Sequence, residues 1–177
     1  MVDLFEGQPS DVESIITKLR QSPTGPKGAQ ETLDLATEVG AVGNHLVLDG
    51  EAILQNLQIV QDRNGLEIRE SLANGGLDFD IEMETGTGKT YVYLRTVFEL
   101  ARRYNFTKFV ILVPSVPIKE GVATSVRLMG EHFKDLYSIP FDFSVYSGDS
   151  AEEVQSFATS TNVQIMLMTI QSLRGDK

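Results

Sequence analysis

The sequence predicts an α/β fold, with a parallel sheet carrying helices on both faces, preceded by a mostly helical N-terminal stretch. Three observations carry this prediction. From residue 77 onward short apolar runs alternate with segments of helical periodicity, the pattern that builds parallel sheets. The run Thr107-Lys-Phe-Val-Ile-Leu-Val-Pro114 is almost continuously apolar, as expected of a strand buried on both faces. And the string Asp80-Ile-Glu-Met-Glu-Thr-Gly-Thr-Gly-Lys-Thr90 sets a glycine-rich turn between an apolar run and a helical pattern.

Taken in chain order, Val12, Ile15, Ile16 and Leu19 mark a helix that starts after Pro9-Ser10 and stops before the breaker Ser22-Pro-Thr-Gly-Pro-Lys-Gly28. Glycines at 40, 43, 50, 65, 75 and 76 punctuate the next stretch. Within it one helix is expected over about Gly50 to Asp62, with Ile53, Leu54, Leu57 and Val60 inward, Asp49 capping its start and Asn64-Gly65 ending it. Leu77 to Met83 is expected to be a buried strand. Leu94, Val97, Phe98, Ala101 and Tyr104 line one face of the helix that follows. After the 107–114 strand, Pro117 suits the opening of a helix continued by Ile118, Val122, Val126, Met129 and Phe133. Phe141, Phe143 and Val145 alternate as a third strand ending at Ser147-Gly148. Ser150 and Glu153 have capping-box spacing, and Val163 to Thr169 is a fourth strand. The boundary falls at 76/77: residues 1–76 form the helical and irregular segment, 77–177 the sheet domain. Ligands of such sheets bind beyond the carboxyl ends of the strands, where Gly86–Lys89, Ser115, Gly148 and Thr169 are expected.

Composition narrows the function classes. With 177 residues, 41% apolar and 23% charged, the chain suits one ordinary core. It has no cysteine, which removes disulfides, thiolate metal sites and cysteine nucleophiles. A net charge of -10 argues against a free-standing nucleic-acid binder, so any such contact must be local. No apolar run is long enough for a bilayer and no leader is evident, so a cytoplasmic protein is expected. His45 and His132 stand alone, without metal-ligand spacing.

The glycine turn carries the chemistry. Glu84, Thr85, Gly86, Thr87, Gly88, Lys89 and Thr90 form a variant of the phosphate-binding pattern G-x-x-x-x-G-K-[ST], with Met83 where the first glycine would stand. Gly86 and Gly88 permit the positive φ that lets backbone N–H groups converge on a phosphate. Lys89 would reach the β and γ phosphates and Thr90 would ligate Mg²⁺. A turn that merely caps a helix is the bland alternative. Glu82 and Glu84 read as exposed loop carboxylates, Tyr91 and Tyr93 as core. For Ser115 and Thr169, helix capping competes equally with a ligand role.

The strings METGTGKTYVYLRTVFEL, FTKFVILVPSVPIKEGV and EHF resemble the Res subunit of type III restriction-modification enzymes, in helicase superfamily 2; residues 77–133 carry most of the likeness. The resemblance implies an incomplete RecA-like P-loop ATPase domain using ATP and Mg²⁺, double-stranded DNA as the track, a methyltransferase partner subunit, and a methylation-coupled endonuclease in the complete enzyme. It makes Glu84 to Thr90 motif I, with Lys89 the catalytic residue and Thr90 the metal ligand. Pro114-Ser115 matches motif Ia, facing the DNA backbone. Tyr146-Ser-Gly148 and Met168-Thr-Ile-Gln171 match the next two motifs more loosely, giving Ser115, Gly148 and Thr169 as DNA contacts. The family also needs an acidic box, arginine fingers from a second domain and a nuclease domain, none of which occurs in these residues. An internal piece of a larger subunit, unable to hydrolyse ATP, is therefore expected. A non-catalytic P-loop nucleotide-binding module, or a fragment of another superfamily 2 helicase, is the alternative.

Overall fold

A computed structural model describes residues 1–21, 44–73, 76–148 and 150–174. The expected breaker at 22–28, the glycines at 40, 43 and 75, and the side chains of Val12 and Leu19 lie outside the described residues. A 3-10 turn, Val2–Phe5, is followed by α1 (Val12–Gln21), α2 (Gly50–Arg63), α3 (Lys89–Tyr104), β1 (Lys108–Val113), α4 (Val116–Tyr137), β2 (Phe141–Val145), α5 (Ala151–Thr159), β3 (Val163–Thr169) and α6 (Ile170–Arg174).

The local signals act as expected at most ends. The Asp49 carboxylate accepts from Ala52 N at 2.9 Å to open α2, and Asn64 then Gly65, at φ 64°, close it. Ser150 Oγ accepts from Glu153 N at 3.2 Å to open α5. The side chain of Glu153 does not return the bond, and its Oε2 is buried without a partner, so only half of the capping box forms.

The sheet is parallel with strand order β1-β3-β2. β1 to β2 passes over β3, and β2 to β3 steps back. Right-handed crossovers therefore send the two connecting helices to opposite faces. Phe109 and Ile111 pack with Leu94, Val97, Phe98, Val126, Phe133 and Ile165, so α3 and α4 cover one face. Lys108, whose side chain alternates with Phe109, reaches the Ser160 carbonyl and lies 5.9 Å from the Phe157 ring centroid. These contacts set α5 on the other face. The core centres on stacked rings: Phe98 lies 5.0 Å from Phe133 and 5.3 Å from Tyr137.

Two strand expectations are corrected. Residues 77–83 form no strand, and Leu77 and Ile81 are 50% and 55% exposed. The apolar positions alternate with Asp78, Asp80 and Glu82, so burying both faces would desolvate three carboxylates. β1 is an edge strand, not a strand buried on both faces: Val110 and Leu112 are 52% and 46% exposed, whereas β3 is buried throughout. A continuous apolar run looks the same in a central strand and at an edge.

Two side-chain amides stand in for strand partners. Asn44 Oδ1 accepts from Thr107 N and Lys108 N, and its Nδ2 donates to the Lys108 carbonyl at 2.6 Å. The buried Gln8 donates to the His45 carbonyl at 2.7 Å and accepts from Val47 N at 3.0 Å. Residues 1–8 are held further by Asn56, which donates to the Leu4 and Glu6 carbonyls, and by Phe5 packed edge-on to Phe106. An ionic group closes this side: Asp3 pairs with Arg63 and Arg103, and Arg103 and Arg102 pair with Glu99.

Candidate functional site

The turn before α3 has the backbone its glycines allow. Gly86 and Gly88 sit at φ 84° and 82°, in the left-handed region that other residues enter at a cost. Thr87 Oγ1 donates to the Glu84 carbonyl at 2.7 Å and closes the turn. Gly88 is the N-cap of α3 and offers no side chain to its amides. The first intrahelical donor is Val92 N, to the Gly88 carbonyl at 3.1 Å. The amides of Lys89, Thr90 and Tyr91 thus have no intrahelical acceptor, as at any helix start, and they carry the positive end of a 16-residue helix.

Around these amides the surface is open. Thr85 to Lys89 are exposed, and Lys89 lines a shallow depression with Ile81, Glu82, Met83 and Glu84. Glu82 and Glu84 are exposed loop carboxylates, as expected. Behind the loop the helix is rigidly seated: Leu94, Val97, Phe98, Leu100 and Tyr104 are buried. Tyr91 and Tyr93 pack against the same core. Burial pushes the Tyr93 phenol above its ordinary pKa, with the neighbouring Thr90 side chain opposing the shift. Tyr91 OH and His132 Nε2 share a hydrogen bond of 3.1 Å. Neither histidine belongs to a metal-binding group among the described residues.

These residues fit a polyphosphate. Two left-handed glycines, uncapped helix amides and an exposed ammonium follow one another along Gly86 to Tyr91 and supply donors and positive charge, beside the exposed carboxylates of Glu82 and Glu84. For a magnesium ion the chain offers the Thr90 hydroxyl; the remaining positions of such an ion are commonly filled by phosphate oxygens and water.

The other candidates gather elsewhere, at the carboxyl edge of the sheet. Ser115 caps α4 by position, but its hydroxyl makes no capping bond and is half-buried. Gly148 is exposed at φ 110°, and a Cβ there would lie 4.0 Å from the Ser172 Cβ. Thr169 is buried. Its hydroxyl lies 3.2 Å from Ser172 Oγ, Ser172 N donates back to it at 3.3 Å, and the Ser172 hydroxyl donates to the Thr169 carbonyl. Capping of α6 therefore occupies Thr169 in this structure. Two residues without a predicted role join these ends: Ser172, and Gln171, whose Nε2 donates to the Pro114 carbonyl at 3.1 Å. The spacing Thr169-x-x-Ser172 is a capping signal readable in the sequence. No sequence signal announces the Gln171 bond, because it spans two strand ends. Gln171 and Ser172 thus link Pro114 and Thr169 at the carboxyl ends of β1 and β3.

Among the described residues no helix is long and apolar enough to cross a membrane.

Comparison with known proteins gives a consistent picture. Residues 53–177 match the family described as type III restriction enzyme, Res subunit. The chain is 36% identical over 99 residues to the EcoPI Res subunit of Escherichia phage P1, covering 54% of this chain and 10% of that protein. It is 37% identical over 95 residues to the EcoP15I Res subunit of Escherichia coli, covering 52% and 10%. It is 34% identical over 116 residues to the StyLTI Res subunit of Salmonella typhimurium, covering 55% and 12%. The chain spans about a tenth of the length of these curated relatives. The sheet order, the glycine loop ahead of α3 and the match over most of its length agree: this chain belongs to the Res-subunit family of type III restriction enzymes.

Proposed function

We propose that this chain is the ATP- and Mg²⁺-binding part of a DNA-dependent motor in a type III restriction Res subunit. One observation carries the reading: two left-handed glycines lead directly into the uncapped first amides of α3 and the exposed Lys89. Bound there, ATP supplies the phosphoryl group whose transfer drives such motors. The chain's own contributions are electrostatic. The amides of Lys89 to Tyr91 and the Lys89 ammonium offset phosphate charge, and the Thr90 hydroxyl helps hold the magnesium. The seated helix behind the loop keeps these donors in place.

Turnover needs more than binding. An acidic group that holds the metal and orients the attacking water, and an arginine that offsets developing charge, are recurring parts of phosphoryl-transfer sites. Among the described residues no group of three or more His, Asp or Glu side chains is placed to hold a metal ion. The isolated chain accordingly binds nucleotide and hydrolyses it negligibly. Double-stranded DNA and a methyltransferase subunit are the proposed partners of the larger protein. The DNA backbone meets the carboxyl edge of the sheet at Ser115 and Gly148, a local contact that suits a chain of net charge -10; Thr169, buried and bonded to Ser172, supports that edge from behind.

Calorimetric titration of the chain with ATP and Mg²⁺ tests the reading. Binding is expected, and Lys89→Ala is expected to weaken it by about ten- to hundredfold, the loss of a charge-assisted hydrogen bond. Equal affinity in the variant overturns the role of Lys89. Strong duplex-stimulated ATP turnover by the isolated chain overturns the assignment of inactivity.

A further inference from the structure

We infer that Gln171 is a positioning residue: it fixes the Pro114–Ser115 peptide and thereby aims Ser115 and the start of α4 at a phosphate of duplex DNA. The inference rests on the proposed DNA contact at the carboxyl edge of the sheet. The Pro114 carbonyl and the Ser115 N–H belong to one planar peptide, so holding the carbonyl fixes the direction of the amide. Gln171 does so from the first turn of α6, across the gap between the ends of β3 and β1.

What that peptide leads into is open to an external acceptor. Ser115 stands at φ -150° and ψ 160°, an N-cap conformation, yet its hydroxyl makes no bond to the α4 amides. A helix of 22 residues therefore begins with amides uncapped by any side chain and with Pro117 contributing no N–H. Gln171 is exposed and its donor bond spans 57 residues of sequence. It contributes nothing to the buried core, and its one bond acts on the peptide that opens α4. Its neighbour Ser172 closes the Thr169 cap and meets Gly148. Consecutive residues of α6 thus close the end of β3 and hold the end of β1, beside a Ser115 hydroxyl that makes no capping bond.

The test is a double-mutant cycle read by anisotropy of a fluorescent 20-base-pair duplex at low salt, using Ser115→Ala, Gln171→Met and the pair. Methionine keeps the length of the glutamine stem and removes the donor. Each single variant is expected to weaken duplex binding about three- to tenfold, while ATP–Mg²⁺ affinity and melting temperature stay at the parent values. The pair is expected to be no weaker than the worse single variant, because both act through one peptide. If Gln171→Met binds as the parent does while Ser115→Ala is impaired, or if the two losses add in full, the positioning role is overturned and the DNA contact stands. If the parent chain does not bind the duplex, or Ser115→Ala binds unchanged, the DNA reading falls and the inference falls with it.

Discussion

Alanine at Gly88 and alanine at Gly121 should move stability in opposite directions, although neither new methyl group would touch anything. A Cβ built at either position finds no atom within 4 Å, so sterics cancel and backbone conformation decides the sign. Gly88 sits at φ 82°. A left-handed residue with a Cβ costs about 1–2 kcal/mol, partly offset by about 0.4–1 kcal/mol of lost unfolded-state freedom. The net is roughly 1 kcal/mol of destabilisation. Gly121 lies inside α4, where alanine is favoured over glycine by about 0.8–1 kcal/mol. For a chain of this size 1 kcal/mol is worth roughly 2–4 °C in Tm. Differential scanning calorimetry should therefore find Gly88→Ala 2–4 °C below the parent and Gly121→Ala about as far above it. Gly88→Asn should stay near the parent, because asparagine visits the left-handed region readily. Shifts of the same sign for the two alanines, or an asparagine variant as damaged as the alanine one, would refute the left-handed loop.

Phe98→Ala removes a ring buried against Phe133, Tyr137 and Phe141 and should cost about 3–5 kcal/mol; a Tm loss under about 3 °C would mean these rings do not form the core. Burial raises the pKa of Glu99, but bonds from the Tyr137 hydroxyl and the Arg102 and Arg103 guanidiniums outweigh it and hold the carboxyl below its ordinary 4.5. A depressed native pKa means that the stabilisation is complete above the unfolded value and fades as pH falls through the folded one. Glu99→Gln should therefore flatten the acid limb of a urea-denaturation profile below about pH 5, and an unchanged limb would contradict the ionic group. Leu112→Lys places a charge on the open face of β1 and should reduce self-association in sedimentation velocity without lowering Tm. Identical sedimentation of parent and variant across concentrations would show that this face of β1 does not associate.

Helices were legible wherever a capping residue and an apolar stripe coincided. Asp49, Ile53 and Asn64 suffice to bound α2, and Ser150 opens α5, because such signals act within one turn of chain. Strands were less legible because their state depends on partners remote in sequence. Leu77, Phe79 and Ile81 look like β1 in apolar content, yet only β1 has a neighbour in β3 to receive its peptide groups. The same asymmetry holds at the sites. Gly86, Gly88 and Lys89 were readable because a phosphate cradle is a contiguous object. Thr169 was readable as a strand end, but its engagement by Ser172 decides what its hydroxyl can do. Gln171 was readable only as a letter, since its partner Pro114 lies on another strand.

Asn44 has a further consequence for the outer edge of β1. Thr107 gives its carbonyl to β3 through Gln164 N, whereas the next residue, Lys108, turns its amide and carbonyl outward to Asn44. Peptide groups alternate in direction along a strand, so Val110 and Leu112 are the following outward pairs. The first docking position on this edge is already filled, and a strand laid alongside meets its first groups without a partner among the described residues at Val110. Sliding it two residues toward the start of β1 would mean displacing three hydrogen bonds to one asparagine. A single amide outside the sheet thus acts as an end-stop, setting in advance the alignment of whatever strand joins there.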